Sequence, residues 1–293
     1  MSDIDPKVRS RLDGAVVVAS VSGGKDSTAL CLHLREHDIP FRAVHMDTGW
    51  EAPETERYVR DYLPAALGIA VEIIERPGGM DALVRKKGMF PSRLRRFCTQ
   101  QLKVFPMRAY LARMHDDGVE TVNAIGIRAA ESAARAKMVE WEDSDTFGCW
   151  VWRPLIDWSV SDVVAIHTRH GVRPNPLYLA GHDRVGCHPC IFARKQEIRL
   201  IAEHAPERID HLRRLEADVW QTAQARGVQR TGPTWFQSRL PSEDGGACWP
   251  IDKVVSWSRT SRGGRQFELF AAGPSEEGCV RWGLCDTGEA DDV

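Results

Sequence analysis

Residues 18–31 read VASVSGGKDSTALC, in which an apolar run leads through two glycines into a helical pattern. The glycines let the backbone turn sharply and approach an anion closely. Ser27 and Thr28 can cap the helix, whose free amides and dipole favour a phosphate, and Lys25 adds a mobile positive charge. An ordinary glycine-containing strand-to-helix turn is the alternative, and the spacing is not that of a Walker A loop. The stretch predicts a phosphate-binding loop at the end of a strand.

The first half of the chain repeats this alternation of strand and helix. Strand-like runs at 15–21, 41–46, 70–75 and 121–127 are separated by helical patterns. Short apolar strands separated by helices imply a parallel sheet covered on both faces, and right-handed crossovers make it doubly wound. We therefore predict an α/β fold built on a doubly wound parallel sheet. Ligands bind such sheets beyond the carboxyl ends of the strands.

The second half divides into a helical extension and a smaller module. Residues 192–226 are helical by periodicity, and Pro206 breaks them into two helices. Residues 253–270 predict a small hairpin. Cys149 and Cys248 fall in irregular segments that contain tryptophan, and neither receives a role. The predicted units are an α/β domain at 1–191, a helical extension at 192–230 and a small C-terminal α+β module at 231–293.

Bulk composition limits where the protein works and what it contacts. The chain has 293 residues, of which 43% are hydrophobic and 27% charged, as in soluble globular proteins. No apolar run approaches the ~18 residues that span a bilayer, and the N-terminus lacks an apolar signal core. A net charge of −2 excludes a globally basic nucleic-acid coat but allows a local basic patch. We expect a cytoplasmic protein without membrane contact, and the sequence indicates no oligomeric state.

Several segments together resemble one family. SVSGGKDS, residues 20–27, looks like the PP-loop of the adenine-nucleotide α-hydrolase (HUP-like) superfamily, which includes ATP pyrophosphatases and phosphoadenosine phosphosulfate (PAPS) reductases. HMDTGWEAPET (45–55), AIGIRAAESAAR (124–135) and the segment 153–190 resemble, in the same order, segments of the PAPS reductase family. The resemblance covers residues 15–200. It implies a loop that holds the pyrophosphate of ATP or the matching part of a sulfonucleotide.

The resemblance also implies roles for individual residues. Asp47 would meet ribose or base edges, although a strand-end turn explains D-T-G equally well. Arg128 would contact phosphate or sulfate with Glu131 orienting it, although the two could form a surface helix pair. The candidate catalytic residues are Lys25, Asp26, Arg128 and Cys285. The candidate nucleotide-binding residues are Ser22, Gly23, Gly24, Lys25, Asp26, Ser27, Thr28, Asp47, Thr48, Gly126, Arg128 and Glu131.

A basic block occupies residues 85–108, which contain eight Lys or Arg and no acidic residue. A solvated basic face is one interpretation. Beside a nucleotide site, the block could also focus negative substrates or contact a nucleic-acid backbone. Part of it, FCTQQLKVFP, resembles a segment of the same family. The candidate basic substrate patch is Arg95, Arg96 and Lys103.

The chain contains eight cysteines, which in a cytoplasmic protein indicate buried thiols, a metal or redox chemistry. Cys187 and Cys190 have the spacing of two thiolates that share a metal ion, or of a reversible disulfide. A four-thiolate site needs two more ligands, which would be Cys98 and either Cys279 or Cys285. The resemblance favours a [4Fe–4S] cluster over zinc. The candidate metal ligands are Cys98, Cys187, Cys190 and Cys285.

Two departures from the family pattern bear on the reaction. The reductases that carry a cluster have adjacent cysteines, whereas Phe97 precedes Cys98 here. Sulfonucleotide reductases resemble one another in a C-terminal E-C-G-x-H tail that carries the nucleophilic cysteine. Cys285 has no Glu before it and no Gly-x-His after it. A reductase needs a thiolate that attacks the sulfate sulfur, so this tail leaves that chemistry without its best candidate.

Three functions therefore follow from the sequence and the resemblance. The first is an ATP pyrophosphatase that uses ATP and Mg²⁺ to adenylate an acceptor, for sulfur transfer to a nucleic acid with a sulfur-donor protein as partner. The second is a PAPS or adenylylsulfate reductase that releases sulfite, with Cys285 as a displaced nucleophile. The third is a non-catalytic ATP-binding accessory protein of a larger complex. The first is the hypothesis that the sequence favours.

Overall fold

The computed structural model describes residues 5–92, 94–227, 234–237 and 248–260. Within them, six strands form one sheet: β1 Val16–Val21, β2 Phe41–Asp47, β3 Val71–Glu75, β4 Thr121–Ile125, β5 Trp141–Ser144 and β6 Cys149–Trp152. The spatial order is β3-β2-β1-β4-β6-β5. Every pair in the sheet is parallel except β5 with β6. The order reverses between β1 and β4, which makes their carboxyl ends the switch point of the sheet.

Helices lie along the sheet and beyond its carboxyl edge. They are α1 Pro6–Leu12, α2 Lys25–Glu36, α3 Pro53–Arg57, α4 Leu63–Leu67, α5 Gly79–Lys87, α6 Phe97–Thr99, α7 Phe105–Asp116, α8 Val160–Arg169, α9 Pro176–Leu179, α10 Lys195–His204, α11 Pro206–Ala225 and α12 Ile251–Ser258. Two π-helical turns, Tyr58–Tyr62 and Gln100–Val104, connect α3 to α4 and α6 to α7. A short pair, β7 Phe236–Gln237 and β8 Cys248–Trp249, is antiparallel.

The two faces of the sheet bury alternate residues of β1. Val17 belongs to a core with Leu30 of α2 and Ile166 of α8, whereas Val18 belongs to a second core with Leu111 of α7. Successive side chains of a strand point to opposite faces, so a β-branched run that is apolar at every position suits a sheet covered on both sides. The predicted doubly wound α/β fold is confirmed, as are its first four strands.

A third core lies beyond the carboxyl edge of the sheet. Trp50 and Met80 pack there with Leu212 of α11, and Trp235 and Ile251 belong to the same cluster. The predicted helical extension is confirmed as α10 and α11, with Pro206 at the start of α11. The described part of the C-terminal segment therefore shares a hydrophobic core with the loop after β2. The predicted division of the chain into three units stays a prediction.

Two local predictions are wrong. Residues 253–260, predicted as one strand of a hairpin, lie mostly in helix α12. Ile251, Val254 and Ser258 are buried there, which is a helical spacing, and the adjacent valines had favoured a strand. The rest of that hairpin lies outside the described residues. Cys149 and Cys248, predicted to lie in irregular segments, begin β6 and β8, and Cys149 is buried.

Candidate nucleotide site

The predicted phosphate-binding loop lies at the carboxyl end of β1. Gly23 has a φ of 71°, and a Cβ there would lie 2.8 Å from Val59 Cγ2, so both conformation and space require glycine. Gly24 is the N-cap of α2 and has no side chain to cap that end. The Lys25 amide donates to the Tyr178 hydroxyl, so the next amides of the first turn, those of Asp26 and Ser27, remain for an anion, which the helix dipole favours.

The hydroxyl groups of the loop hold its shape. The Ser22 amide donates to Ser27 Oγ at 3.1 Å, and Ser27 Oγ donates to the Gly24 carbonyl at 2.9 Å. The Ser22 and Ser27 hydroxyls are 3.2 Å apart. Thr28 is fully buried beneath the loop. Ser27 and Thr28 therefore support the loop from within, while Ser22 lies at its entrance.

Three side chains that sequence reasoning missed hold the same loop from α8 and the region of α9. The Tyr178 hydroxyl accepts from the Lys25 amide at 3.1 Å. Asn175 Nδ2 donates to the Gly23 carbonyl at 3.2 Å, and His167 Nε2 lies 3.0 Å from the Lys25 carbonyl. Burial raises the pKa of Tyr178 and lowers the pKa of His167, so both stay neutral near pH 7. These contacts fix the loop without adding charge to it.

Charged side chains converge on the start of α2. Arg128 Nε donates to Asp26 Oδ1 at 2.5 Å, and Lys25 Nζ lies 3.5 Å from Asp26 Oδ2. The side chains of Arg128, Asp26 and Lys25 are 4%, 14% and 17% exposed, so water screens them little. Asp26 thus orients two cations at a helix N-terminus. The arrangement suits a polyphosphate, whose negative charge both cations can approach.

The segment after β4 is held against the loop at close range. A Cβ on Gly126 would lie 2.5 Å from the Asp26 carbonyl oxygen, so only glycine lets the two backbones meet. Glu131 accepts from the Arg128 amide at 2.8 Å and pairs with Arg135. Glu131 therefore positions the backbone of Arg128, while Asp26 orients its guanidinium.

The end of β2 and the turn after it contribute two carboxylates, the half-buried Asp47 and the buried Glu51. Asp47 pairs with Arg60 at 2.5 Å and accepts from the Gly49 amide at 2.8 Å. Thr48 donates its hydroxyl to Glu51 at 2.7 Å, and Glu51 is buried. Thr48 is itself fully buried, so it supports this turn rather than lining an open surface. Asp47 would meet a ribose only by sharing its carboxylate with Arg60.

Three of the four candidate metal ligands lie in one neighbourhood. The side chains of Cys98 and Cys187 interact electrostatically, as do those of Cys187 and Cys190. Burial raises the pKa of both Cys98 and Cys187, while nearby Lys103 opposes it. Electrostatic interaction with Cys187 raises the pKa of Lys103, and interaction with Glu51 raises it to a smaller extent. Across the described ranges, no three Cys, His, Asp or Glu side chains are arranged to hold a metal ion. Cys279 and Cys285 lie outside those ranges.

The three residues of the candidate basic patch have different surroundings. Arg95 and Arg96 are exposed, and the Arg96 guanidinium lies 5.2 Å from the centre of the Phe192 ring. Lys103 interacts with the thiols of Cys187, Cys190 and Cys98.

No helix within the described part of the chain is long and apolar enough to cross a membrane.

Comparison with known proteins gives one family. The family model named phosphoadenosine phosphosulfate reductase domain matches residues 16–193. An uncharacterized 37.8 kDa protein of Escherichia phage 186 is 31% identical, over 94% of this chain and 98% of that protein. The adenosine 5′-phosphosulfate reductase of Allochromatium vinosum is 27% identical, over 60% of this chain and 68% of its own. A crystal structure of PAPS reductase from Candida auris, in a phosphate complex, has 20% identity and a TM-score of 0.47, with 61% of this chain and 85% of that one covered.

Proposed function

The chain belongs to the phosphoadenosine phosphosulfate reductase family, and from this premise we propose that it is an ATP pyrophosphatase that adenylates an acceptor. The observation that carries the proposal is the placement of Lys25 and Arg128 on either side of Asp26 at the N-terminus of α2. Backbone amides, a helix dipole and two cations together favour the binding of a polyphosphate.

In the proposed reaction an acceptor oxygen attacks the α-phosphorus of ATP. The bond from that phosphorus to the bridging oxygen breaks, pyrophosphate leaves with the electron pair, and the acceptor proton goes to solvent. Lys25 and the first amides of α2 stabilise the charge that develops on pyrophosphate, and Arg128 stabilises the α-phosphoryl oxygens. Asp26 keeps the guanidinium of Arg128 in position. The substrate would be the Mg²⁺ complex of ATP, in which the ion would neutralise part of the phosphate charge.

The cysteines favour this reaction over sulfate reduction. Cys31, Cys98 and Cys149 are buried, which keeps their thiols from a sulfonucleotide, whereas the half-buried Cys187 and Cys190 are proposed below as metal ligands. A reductase would then depend on Cys285, which lacks the family's E-C-G-x-H surroundings. Once an acceptor is adenylated, the activated position can take sulfur, and we propose a nucleic acid as the acceptor and a sulfur-donor protein as the partner. A cytoplasmic location is part of the same proposal.

We further propose that the protein binds a [4Fe–4S] cluster, or else zinc. The ligands would be Cys98, Cys187, Cys190 and Cys285. The neighbourhood of the first three thiols and Lys103 supports it, although their described arrangement is not yet that of a metal site. Such a cluster would supply a sulfur carrier or a structural anchor. Iron, sulfide and zinc content after anaerobic purification tests it, because Cys187→Ser would lower the metal content and Cys149→Ser would not.

The reaction is tested by product analysis. The anaerobically purified protein is incubated with ATP and Mg²⁺, and separately with PAPS and a thiol donor. AMP, pyrophosphate, 3′-phosphoadenosine and sulfite are then quantified. We expect pyrophosphate from ATP in the presence of acceptor, lowered about a hundredfold or more by Lys25→Ala and unchanged by Lys7→Ala on exposed α1.

Sulfite from PAPS, abolished by Cys285→Ser, would instead identify a reductase. ATP binding without either product, over a range of nucleic-acid acceptors, would identify an accessory protein. Both results contradict the proposed adenylation.

A further inference from the structure

A basic cavity lies next to the end of β3, away from the nucleotide loop. Its volume is about 400 Å³, and it is lined by Arg76, Leu83, Lys86, Lys87, Gln101 and Arg226. Four of these six residues are cationic, and none is acidic. In a chain of net charge −2, such a lining is a local concentration of positive charge. The positive electrostatic potential of this lining attracts an anion.

The two arginines of the cavity donate hydrogen bonds to neutral oxygen atoms. Arg76 Nη1 donates to the Gln101 carbonyl at 3.0 Å and to Gln101 Oε1 at 2.7 Å. Arg226 Nη2 donates to the Lys86 carbonyl at 2.7 Å. These bonds fix the two guanidinium groups in place without neutralising their charge. The geometry is therefore preorganised for a negative ligand.

The nearby carboxylates pair with a different arginine. Arg85, adjacent to Lys86, binds Asp81 at 3.1 Å and Asp218 at 3.0 Å. No carboxylate of the described residues lies within ion-pair distance of the four cavity cations, since each ion pair found among those residues involves other side chains. Among the described residues, no carboxylate compensates the charge of the cavity, whereas the neighbouring Arg85 is paired with two.

The cavity lies at the same edge of the sheet as the nucleotide site. Arg76 directly follows β3, and the phosphate-binding loop directly follows β1, with β2 between them. Two strand spacings separate these positions by about 10 Å. The π-helical turn Gln100–Val104 connects the cavity to the three cysteines, because Gln101 lines the cavity and Lys103 interacts with the thiols.

Positive charge continues from the cavity over the surface. Lys87 Nζ lies 5.1 Å from the centre of the Phe97 ring. Arg96 precedes Phe97, and both Arg96 and Arg95 are exposed. Leu94, beside them, is 95% exposed. A site for a compact polyphosphate would enclose the ligand with cations. Here the cations lie in an open row beside the Phe97 ring, which suits a strand of phosphates whose bases can stack on an aromatic side chain.

We propose that this cavity binds the phosphodiester backbone of a single-stranded nucleic acid, which is the acceptor class of the proposed function on which this inference rests. A volume of about 400 Å³ is in the range of pockets for small ligands, so it admits a nucleotide unit of one strand rather than a duplex. The strand would run from the cavity over Phe97 and Arg96, and it would place a neighbouring nucleotide toward the α-phosphate of ATP.

The test measures binding of a short fluorescein-labelled oligonucleotide by anisotropy at increasing KCl, without ATP. Lys86→Gln/Lys87→Gln removes two exposed charges at the end of α5 and keeps a polar, unbranched aliphatic stem at each position. Lys7→Gln/Arg9→Gln on α1 removes two exposed charges away from the cavity and is the matched control. Thermal unfolding of both variants confirms that they fold.

We expect the cavity variant to weaken binding about tenfold and to lower the slope of log K against log salt by about 1.4, two contacts at 0.7 each. The control should do neither. Single-stranded DNA and RNA arms identify the sugar, and a duplex arm should bind more weakly. Equal effects of the two variants, or loss of tripolyphosphate binding with intact oligonucleotide binding, would overturn the proposal. Because no ATP is present, a chain that binds the strand but releases no pyrophosphate refutes adenylation alone.

Discussion

The guanidinium of Arg208 lies 3.8 Å from the centre of the Trp50 ring. Its Nε donates to the His188 carbonyl at 2.5 Å and its Nη2 donates to the Trp50 carbonyl at 3.3 Å. Trp50 Nε1 in turn donates to the Pro189 carbonyl at 3.0 Å. Arg208 lies at the start of α11, so this pair connects the helical extension to the loop after β2 and to the turn at residues 187–190, which contains Cys187 and Cys190.

Arg208→Lys should destabilise the protein although it keeps the charge. Lysine lacks the planar fork that stacks on Trp50 while reaching two carbonyls. We expect the free energy of unfolding to fall by about 2 kcal/mol, from the lost stacking and the lost charge-assisted hydrogen bonds. Urea denaturation measures it. Arg214→Lys, at an exposed position of the same helix, is the control. Equal stability of the two variants would contradict the assigned role.

Tyr178→Phe should weaken nucleotide binding. It removes the hydroxyl that accepts from the Lys25 amide and leaves that amide without its partner next to the phosphate loop. We expect a stability loss of about 1–2 kcal/mol and a several-fold increase in the Kd for ATP. Isothermal titration calorimetry measures the Kd.

Tyr62→Phe supplies a control matched for the lost bond. The Tyr62 hydroxyl accepts from the Arg173 amide at 2.7 Å, outside the phosphate loop. Both variants should therefore lose comparable stability, and only Tyr178→Phe should raise the Kd. If the two raise it equally, the effect is one of stability and not of loop position.

The fold of the first half could be predicted because its determinants are local. Each of the strands β1 to β4 is a short β-rich run, and the helices between them follow a helical period. The phosphate loop follows from glycines, hydroxyls and a lysine within a few residues. The helix α12 was missed because Val254 and Val255 favour strands locally, whereas burial against α10 and α11 selects the helix.

The residues that hold the loop could not be predicted because their contacts are distant in sequence. Tyr178 and Asn175 lie more than a hundred residues from the loop that they bind, and so does His167. Polar side chains in the otherwise apolar run PNPLYLA were the available signal. Lys103 was singled out with Cys98 from the segment FCTQQLKVFP, but the sequence did not show that Lys103 interacts with Cys187, which lies far along the chain.

Gly126→Ala should disrupt the site through backbone contact. The added Cβ would lie 2.5 Å from the Asp26 carbonyl oxygen and 3.1 Å from Ser27 Cα, so α2 or the segment after β4 must shift. We expect a stability loss of about 1–3 kcal/mol and a marked loss of ATP binding. Gly118→Ala is the comparison, because open space surrounds that position and only its φ of 78° is strained. Normal ATP affinity of Gly126→Ala would show that the close approach does not matter.

Glu216 should make stability depend on pH through the docking of the C-terminal segment. Its carboxylate accepts from the Trp235 amide at 3.1 Å and the Ile251 amide at 3.0 Å, and burial raises its pKa to about 7. A folded pKa above the unfolded value of about 4.5 means that the folded protein binds more protons between these values. The contribution of this group is therefore fully present below pH ~4.5 and is lost as pH rises through ~7.

Replacing the carboxyl group should remove this component of the pH dependence. The free energy of unfolding of Glu216→Gln, measured by urea denaturation from pH 4.5 to 8, should fall less steeply with pH than that of the wild type. Glu207→Gln, on the exposed side of the same helix, should retain the wild-type slope. Buried histidines such as His188, whose pKa burial lowers to about 3, act in the opposite direction but equally in all three proteins. Identical slopes for Glu216→Gln and the wild type would mean that this carboxyl keeps an ordinary pKa, and that Trp235 and Ile251 are held by packing alone.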